Sequence, residues 1–309
     1  MDRILYHAPA MGNLAQRICQ LTHTIQLGKI DWNRFDDGWP NFFVHQKDLL
    51  RRRDVIFLAA FERPADVFEQ VSVINALPRF EARSLKVILP DFPTGTMERL
   101  DAAEDGSEEG KIATAKTLAR ILSDIPMSAV GPTPIVIYDI HALQEKFYFG
   151  DQVIARLVSA MPLLGRMFPN PSAIDIVFPD EGAEKRFGRI FGAYAKILCS
   201  KTRSGDQRKV RIESGDPQGR HVVIVDDRAL SGGTILAAKK ELLSHGAAKV
   251  SVFVTHGVFP NRSWERFLDA GFEKVWITNS CPTTAAAVDR EGPFEIVSLA
   301  ESIVQEIMS

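Results

Sequence analysis

The residues best suited to chemistry lie in the segment 221–234, which reads HVVIVDDRALSGGT. Glycines that precede a helix let backbone N–H groups face a phosphate, and nearby hydroxyls add donors. Paired carboxylates repel phosphate but accept hydrogen bonds from sugar hydroxyls. A plain surface turn would need the glycines but not the aspartates. The segment therefore predicts a sugar-phosphate site made of Asp226, Asp227, Ser231, Gly232, Gly233 and Thr234.

A strand and a helix must position these residues. The apolar run 222–225 predicts a buried strand that ends at the aspartates, and 234–244 predicts a helix that His245-Gly246 stops. In open α/β sheets, ligands bind at the carboxyl ends of the strands. The predicted sugar-phosphate site lies at the carboxyl end of the predicted strand 222–225.

Short apolar runs alternate with helix-period segments along most of the chain, which indicates parallel sheets covered by helices on both faces. Two such α/β layers fit the length, with a boundary near residues 150–170, where Gly and Pro accumulate. Strands are predicted at 55–59, 85–89, 135–138, 174–178, 196–199, 222–225, 250–254 and 275–277. Helices are predicted at 66–77, 112–122, 184–194, 234–244 and 263–270.

The composition excludes several classes of protein. The chain has 309 residues, with 37 basic and 39 acidic side chains and a net charge of −2, which argues against a dedicated nucleic-acid binder. Three widely spaced cysteines support neither a disulfide framework nor a zinc site. The apolar runs are far shorter than the roughly 20 residues of a membrane helix. We expect no membrane partner and a cytoplasmic location, with the acidic stretch 101–110 forming a solvated loop.

Several segments together resemble a known family. The segment 221–234 is similar to the phosphoribosyl-pyrophosphate loop of type I phosphoribosyltransferases and ribose-phosphate pyrophosphokinases. The segment 138–151 (YDIHALQEKFYFGD) resembles the DxHxxQ region of the pyrophosphokinases. Segments 35–41, 90–99 and 177–187 resemble their class II members in order and spacing.

This resemblance implies two tandem type I phosphoribosyltransferase-like α/β domains, each a mostly parallel sheet flanked by helices. The N-terminal domain is expected at 1–152, with the tail 291–309 packing on it, and the C-terminal domain at 153–290. The implied reaction transfers the diphosphate of ATP to the C1 hydroxyl of ribose 5-phosphate, with Mg²⁺ as cofactor. The resemblance also implies a homo-oligomer, which would be a dimer-based assembly, a trimer or a hexamer, with ATP and ribose 5-phosphate as small-molecule partners.

The resemblance also assigns roles to single residues. Lys201 and Arg203 correspond to a basic pair on a flexible catalytic loop, where two cations close over a triphosphate; without the resemblance, a solvated basic loop is the alternative. His141 and Asp180 are the implied Mg²⁺ ligands. The implied ATP-binding residues are Phe35, Asp37, Trp39, Thr96, Glu98 and Arg99.

The chain departs from the usual family pattern at three places, one of which, Thr96-Met97-Glu98 in place of an Arg-Gln-Asp trio, is shared by class II members. Leu230 replaces an acidic residue in the sugar-phosphate loop, and Trp39 replaces an acidic residue in the ATP segment. Two alternative functions stay open, the first because of the shared sugar-phosphate loop and the second because of these departures. One is a nucleobase phosphoribosyltransferase, which consumes the product that a pyrophosphokinase makes. The other is a catalytically silent regulatory subunit that binds the same ligands.

Overall fold

The computed structural model describes residues 3–97, 112–204 and 207–309, with side chains described throughout except at 201–204 and 207–209. The chain forms two compact units. Unit 1 consists of Met1–Val158 and Leu299–Ser309, and unit 2 of Ser159–Ser298. These limits fall a few residues after the expected boundaries at 152/153 and 290/291.

Unit 1 is a parallel α/β layer. Its strands are β1 (Arg3–His7), β2 (Ile25–Leu27), β3 (Ile30–Arg34), β4 (Pro40–Val44), β5 (Asp54–Leu58), β6 (Ser84–Leu89), β7 (Thr133–Tyr138) and β8 (Val153–Val158). Its first helices are α1 (Gly12–Leu21), α2 (Pro64–Ala76) and α3 (Thr114–Ser123). Six strands form one sheet in the order β2-β1-β5-β6-β7-β8, and every described pairing in it is parallel.

A separate antiparallel hairpin, β3–β4, belongs to unit 1. Ile30 pairs with Val44 at its base, and Arg34 pairs with Pro40 next to the turn. Trp32 and Phe42 contact each other edge to face, with ring centroids 4.8 Å apart, and both pack against the core of unit 1. The hairpin is therefore anchored by one aromatic face.

Unit 2 repeats the parallel α/β arrangement. Its strands are β9 (Asp175–Phe178), β10 (Lys196–Ser204), β11 (Gln207–Ser214), β12 (His221–Ala229), β13 (Lys249–Gly257), β14 (Val275–Thr278) and β15 (Phe294–Val297). Its helices are α4 (Pro162–Met167), α5 (Glu181–Phe187), α6 (Gly233–Ser244) and α7 (Pro282–Val288). The sheet order is β11-β10-β9-β12-β13-β14-β15, and β10–β11 is its antiparallel pair among the described strands.

The last helix, α8 (Ala300–Met308), returns to unit 1 and packs against α1. Within unit 1 the hydroxyl of Tyr138 donates to the Oγ of Ser302 at 3.0 Å. The preceding strand β15 pairs with β14 in unit 2. The segment expected as one tail is thus divided between the units.

Each sheet carries its own hydrophobic core, and the predicted α/β class with mostly parallel sheets is confirmed. Every predicted strand is present. The helix predicted at 184–194 begins three residues earlier, at Glu181, and ends at Phe187. The helix predicted at 263–270 is instead a 3-10 segment, Pro260–Phe267, interrupted by left-handed residues at Asn261 and Arg262. The acidic stretch 101–110 lies outside the described residues.

Among the helices of the described ranges, none has the length and apolar character that crossing a membrane requires.

Candidate functional site

The strand order in the sheet of unit 2 has a topological switch point between β9 and β12. From β9 the chain adds β10 and β11 on one side, and β12 to β15 lie on the other. Ligands bind in open α/β sheets at the carboxyl ends of strands beside such a switch point, because the connections leaving the two strands diverge there. Asp180 follows β9, and Asp226 and Asp227 lie in the last part of β12. Three predicted site carboxylates therefore occupy this edge.

A glycine loop, residues 230–234, connects β12 to α6 at the same edge. Gly232 has a φ of +72°, a conformation that side chains avoid. A Cβ at this position would lie 2.3 Å from Cε2 of Phe267, whose ring is fully buried. Gly232 is therefore required both for backbone conformation and for space, and α6 begins directly after it at Gly233.

Two side chains from the 3-10 segment Pro260–Phe267 hold the carbonyl groups of the glycine loop. Ser263 Oγ donates to the carbonyl oxygen of Leu230 at 2.8 Å, and Arg266 Nη1 donates to that of Ser231 at 2.6 Å. In a planar trans peptide the next N–H points opposite to the carbonyl. The N–H groups of Ser231 and Gly232 therefore face away from this segment, beside the positive end of α6. This arrangement suits an anion.

The two aspartates of β12 have different surroundings. Asp226 is partly exposed, and its Oδ1 accepts the backbone N–H of Asp227 at 2.9 Å. The side chain of Asp227 is only 9% exposed, and its Oδ2 accepts a hydrogen bond from Arg186 Nη1 at 3.2 Å. The sequence predicts equal roles for the pair, whereas the structure makes Asp226 the more accessible carboxylate.

Asp180 is the N-cap of helix α5. Its Oδ1 accepts the backbone N–H of Ala183 at 2.9 Å. Such capping fixes the carboxylate at the start of the helix. It also explains why α5 begins directly after β9, which brings the carboxylate to the sheet edge.

Lys201 and Arg203 lie on β10. The sequence predicts that the strand ends at Cys199 and continues as a loop, but the backbone remains extended to Ser204 and pairs with β11. Lys201 stands opposite Val210, and Arg203 opposite Arg208. Their side chains are outside the described part of the structure, so their catalytic role stays a prediction.

In unit 1, Phe35, Asp37 and Trp39 form the turn of the β3–β4 hairpin. Asp37 Oδ1 accepts the backbone N–H of Trp39 at 3.1 Å, so this carboxylate stabilises the turn. The Trp39 ring lies edge to face with Phe68 of α2, at a centroid distance of 5.7 Å. Phe35 is 55% exposed and Trp39 61% exposed. Residues of the turn and of α2 together line a pocket of about 290 Å³.

His141 and Thr96 follow β7 and β6, which are neighbouring parallel strands of unit 1. Both residues are exposed. The backbone between them is close-packed, since a Cβ on Gly95 would lie 3.2 Å from the Cβ of His141. Asp139 has a φ of +35°, a strained conformation that is common at functional sites. Glu98 and Arg99 lie outside the described residues.

Sequence reasoning missed four residues that shape the site: Arg186, Ser263, Arg266 and Phe267. Arg186 is 41 positions from its partner, and Arg266 is 35 positions from its own. The sequence around Arg186 and Arg266 does not indicate these contacts, because the partners come together only in the folded chain.

Two buried groups outside the site are not candidates for chemistry. Burial raises the pKa of the Cys199 thiol to about 12, so it is not a nucleophile at neutral pH. His256 is buried on β13, and its Nδ1 lies 3.0 Å from the Oγ of Ser280. This pair satisfies buried polar atoms.

The fold and the glycine loop place the chain among α/β proteins that have a glycine loop suited to an anion where the strand order of a mostly parallel sheet reverses. Comparison with known proteins narrows this class. The family model described as "Phosphoribosyl synthetase-associated domain" matches residues 203–303. "Ribose-phosphate pyrophosphokinase 3, mitochondrial" of Spinacia oleracea is 50% identical over 309 residues, covering 97% of this chain and 75% of that protein.

"Ribose-phosphate pyrophosphokinase 4" of Oryza sativa subsp. japonica is 49% identical over 313 residues, covering 98% of this chain and 94% of that protein. The chain belongs to the ribose-phosphate pyrophosphokinase family. The crystal structure of phosphoribosylpyrophosphate synthetase from Mycobacterium smegmatis matches with a TM-score of 0.79 and 24% identity, over 100% of this chain and 98% of that one. The predicted fold of two tandem phosphoribosyltransferase-like domains and the predicted family are both confirmed.

Proposed function

We propose that the chain is a ribose-phosphate pyrophosphokinase that converts ATP and ribose 5-phosphate to 5-phosphoribosyl 1-pyrophosphate and AMP. The C1 hydroxyl oxygen attacks the β-phosphorus of ATP. The bond from the β-phosphorus to the α–β bridging oxygen breaks, AMP leaves with that oxygen, and the hydroxyl proton is released. Such transfers depend on positioning and charge stabilisation.

The glycine loop is the observation that carries this proposal. Ser263 and Arg266 hold the carbonyl groups of Leu230 and Ser231, so the N–H groups that follow face away from that segment, beside the start of α6, which suits the 5-phosphate of the sugar. Asp226, the accessible carboxylate beside the loop, suits a ribose hydroxyl. Leu230 is 42% exposed in the loop, so an apolar side chain replaces the usual acidic one without interrupting the backbone site.

The nucleotide is assigned to the hairpin turn and to the edge near Thr96. The exposed rings of Phe35 and Trp39 offer faces on which a base can stack, in a way that tolerates different bases. We assign Lys201 and Arg203 to the transferring phosphates, because cations stabilise the charge that develops on them.

Mg²⁺ is the proposed cofactor; Asp180 of unit 2 is proposed as a ligand, and His141 of unit 1 is proposed separately as a ligand. In the described residues, no group of three or more His, Cys, Asp or Glu side chains could bind a metal by itself. This fits magnesium, which takes few protein ligands and completes its shell with water and substrate phosphates. When bound, the ion would neutralise phosphate charge.

We also propose a homo-oligomer and a cytoplasmic location. Cys199 and Cys281 are buried thiols and Cys19 is a partly buried one, which is typical of a reducing compartment. The names of related proteins include mitochondrial and chloroplastic forms. Cell fractionation and light scattering would test these two points.

The deciding experiment incubates the purified chain with ATP, ribose 5-phosphate and Mg²⁺. We expect AMP and 5-phosphoribosyl 1-pyrophosphate to form in equal amounts, and EDTA to abolish both. Release of pyrophosphate from 5-phosphoribosyl 1-pyrophosphate with a nucleobase, and no AMP from ATP, would instead identify a phosphoribosyltransferase. Ligand binding without either reaction would identify a silent subunit.

A further inference from the structure

Arg186 connects two parts of the unit 2 site that are distant in sequence. It is the penultimate residue of α5, and its Nη1 donates to Oδ2 of Asp227 on β12 at 3.2 Å. Both side chains are largely buried, with 13% and 9% of their surface exposed. Asp227 is the more buried of the two β12 carboxylates, and it pairs with this cation.

The surroundings of Arg186 fix its guanidinium. The group lies over the ring of Phe187, with Cζ 4.9 Å from the ring centroid. The other end of α5 is fixed by the cap that Asp180 forms with Ala183. A guanidinium remains charged at any working pH and presents its donors in a rigid plane. Asp227 therefore meets a cation that cannot readily move or lose its charge.

We propose that Arg186 is a positioning residue of the ribose 5-phosphate site and acts through Asp227; this inference rests on the proposed function. A buried carboxylate without a cation would be costly to keep ionised. Arg186 compensates that cost and sets the direction of the carboxylate. Asp227 in turn gives its N–H to Asp226, whose own carboxylate is the accessible one. Arg186 thereby holds the whole aspartate pair in position for the sugar hydroxyls.

A double-mutant cycle tests this pathway. Arg186→Met is expected to raise the Kd of ribose 5-phosphate about tenfold or more, since one hydrogen bond to a charged group is lost. In an Asp227→Asn background, the same substitution should change the Kd by no more than about twofold. The KM for ATP should stay within about twofold throughout.

The chain offers two matched controls. Lys185→Met removes a cation from the adjacent position of α5, where Lys185 pairs with Glu181 at 2.7 Å on the exposed face. Arg220→Met breaks a different ion pair, with Asp175 at the start of β9 and far along the strand from the site edge. We expect neither to change the Kd of ribose 5-phosphate, although Arg220→Met should lower the melting temperature.

An equal loss from Arg186→Met in the wild-type and Asp227→Asn backgrounds would overturn the proposal, as would an unchanged Kd in folded Arg186→Met. If Arg186→Met does not fold, Arg186→Lys is measured in the same two backgrounds with the same requirement. Calorimetry on the wild-type chain separates the two proposals. Absence of ribose 5-phosphate binding there refutes the function, whereas failure of the cycle in a chain that binds refutes the role of Arg186.

Discussion

Gly232 shows how a single residue determines the site. Its φ of +72° and the contact with Phe267 both exclude a side chain, and the next residue begins α6. A left-handed backbone at this point lets the chain turn from β12 into the helix within a few residues. The N–H groups of the glycine loop can then converge on one anion.

Gly232→Ala is expected to weaken ribose 5-phosphate binding strongly and to lower stability. The left-handed conformation alone costs about 1 kcal/mol for alanine, and the overlap with Phe267 forces the loop or the ring to move. The KM for ribose 5-phosphate and the melting temperature measure the two effects.

Gly219→Ala is the matched control. Gly219 has a similar φ of +69° but has open space where a Cβ would stand. The Gly219→Ala variant should therefore be less stable by about 1 kcal/mol, the cost of the left-handed backbone, and its KM for ribose 5-phosphate should be that of the wild type. Similar KM values in the two variants would contradict the specific role of Gly232.

At the scale of elements, continuous apolar runs made the central strands predictable. Segments such as 55–59 and 222–225 are apolar on both faces, which is the pattern of a strand buried between helix layers. β3 and β11, with sequences IDWNR and QRKVRIES, lack such runs and were missed. Their strand conformation depends on pairing partners, since β3 pairs with β4 and β11 with β10.

The same reasoning applies to the site. The aspartates and glycines of 226–234 are contiguous, so their chemistry was readable from the sequence. The extension of β12 through both aspartates to Ala229 was not, because polar residues weaken the local strand pattern. The support given by Ser263 and Arg266 depends on how the chain folds back, which no local pattern indicates.

Asp54 on β5 makes the stability of unit 1 sensitive to acid. Arg83 and Ser84, at the start of β6, hydrogen-bond its carboxylate, and these contacts, with Arg83 first, hold the pKa of Asp54 below its usual value. A lowered folded-state pKa stabilises the fold above the unfolded pKa of about 4. This contribution is lost as the pH falls through the lowered value.

Asp54→Asn should therefore reduce stability by about 1 kcal/mol near neutral pH, a modest loss because Arg83 is half exposed. The difference from wild type should shrink as the pH drops below about 4. Thermal melting at a series of pH values measures this difference in stability. The control is Asp289→Asn, which removes an exposed carboxylate of unit 2. A difference that stays constant through acid pH would contradict the ion-pair explanation.

At the scale of the whole molecule, the net charge of −2 conceals local asymmetry. The segment 201–211 contains five bases and one acid, whereas 101–110 contains five acids and no base. A chain that needs positive charge only around a small anion can remain nearly neutral overall. The composition therefore argues against an extended polyanion as ligand but not against a triphosphate.

Unit 1 is formed from two separate parts of the chain. The second part follows unit 2 in sequence and contains helix α8, in which Ile303 and Ile307 are buried. The hydroxyl of Tyr138 reaches Ser302, and burial raises the pKa of that tyrosine. Lys86 Nζ donates to the carbonyl oxygen of Glu306 at 2.5 Å. Unit 1 is therefore completed only by the end of the chain.

Ile303→Ala should accordingly destabilise unit 1 and not unit 2, although the residue follows unit 2 in sequence. Ile303 is fully buried, so its truncation costs about 2–5 kcal/mol. Hydrogen exchange followed by mass spectrometry should show faster exchange in β6 and β7, with β12 and β13 unchanged. Met308→Ala, at a 47% exposed position of the same helix, should leave both units as in wild type. Faster exchange in β12 and β13 of Ile303→Ala would mean that the two units unfold together, because a defect confined to one core would then have spread to the other.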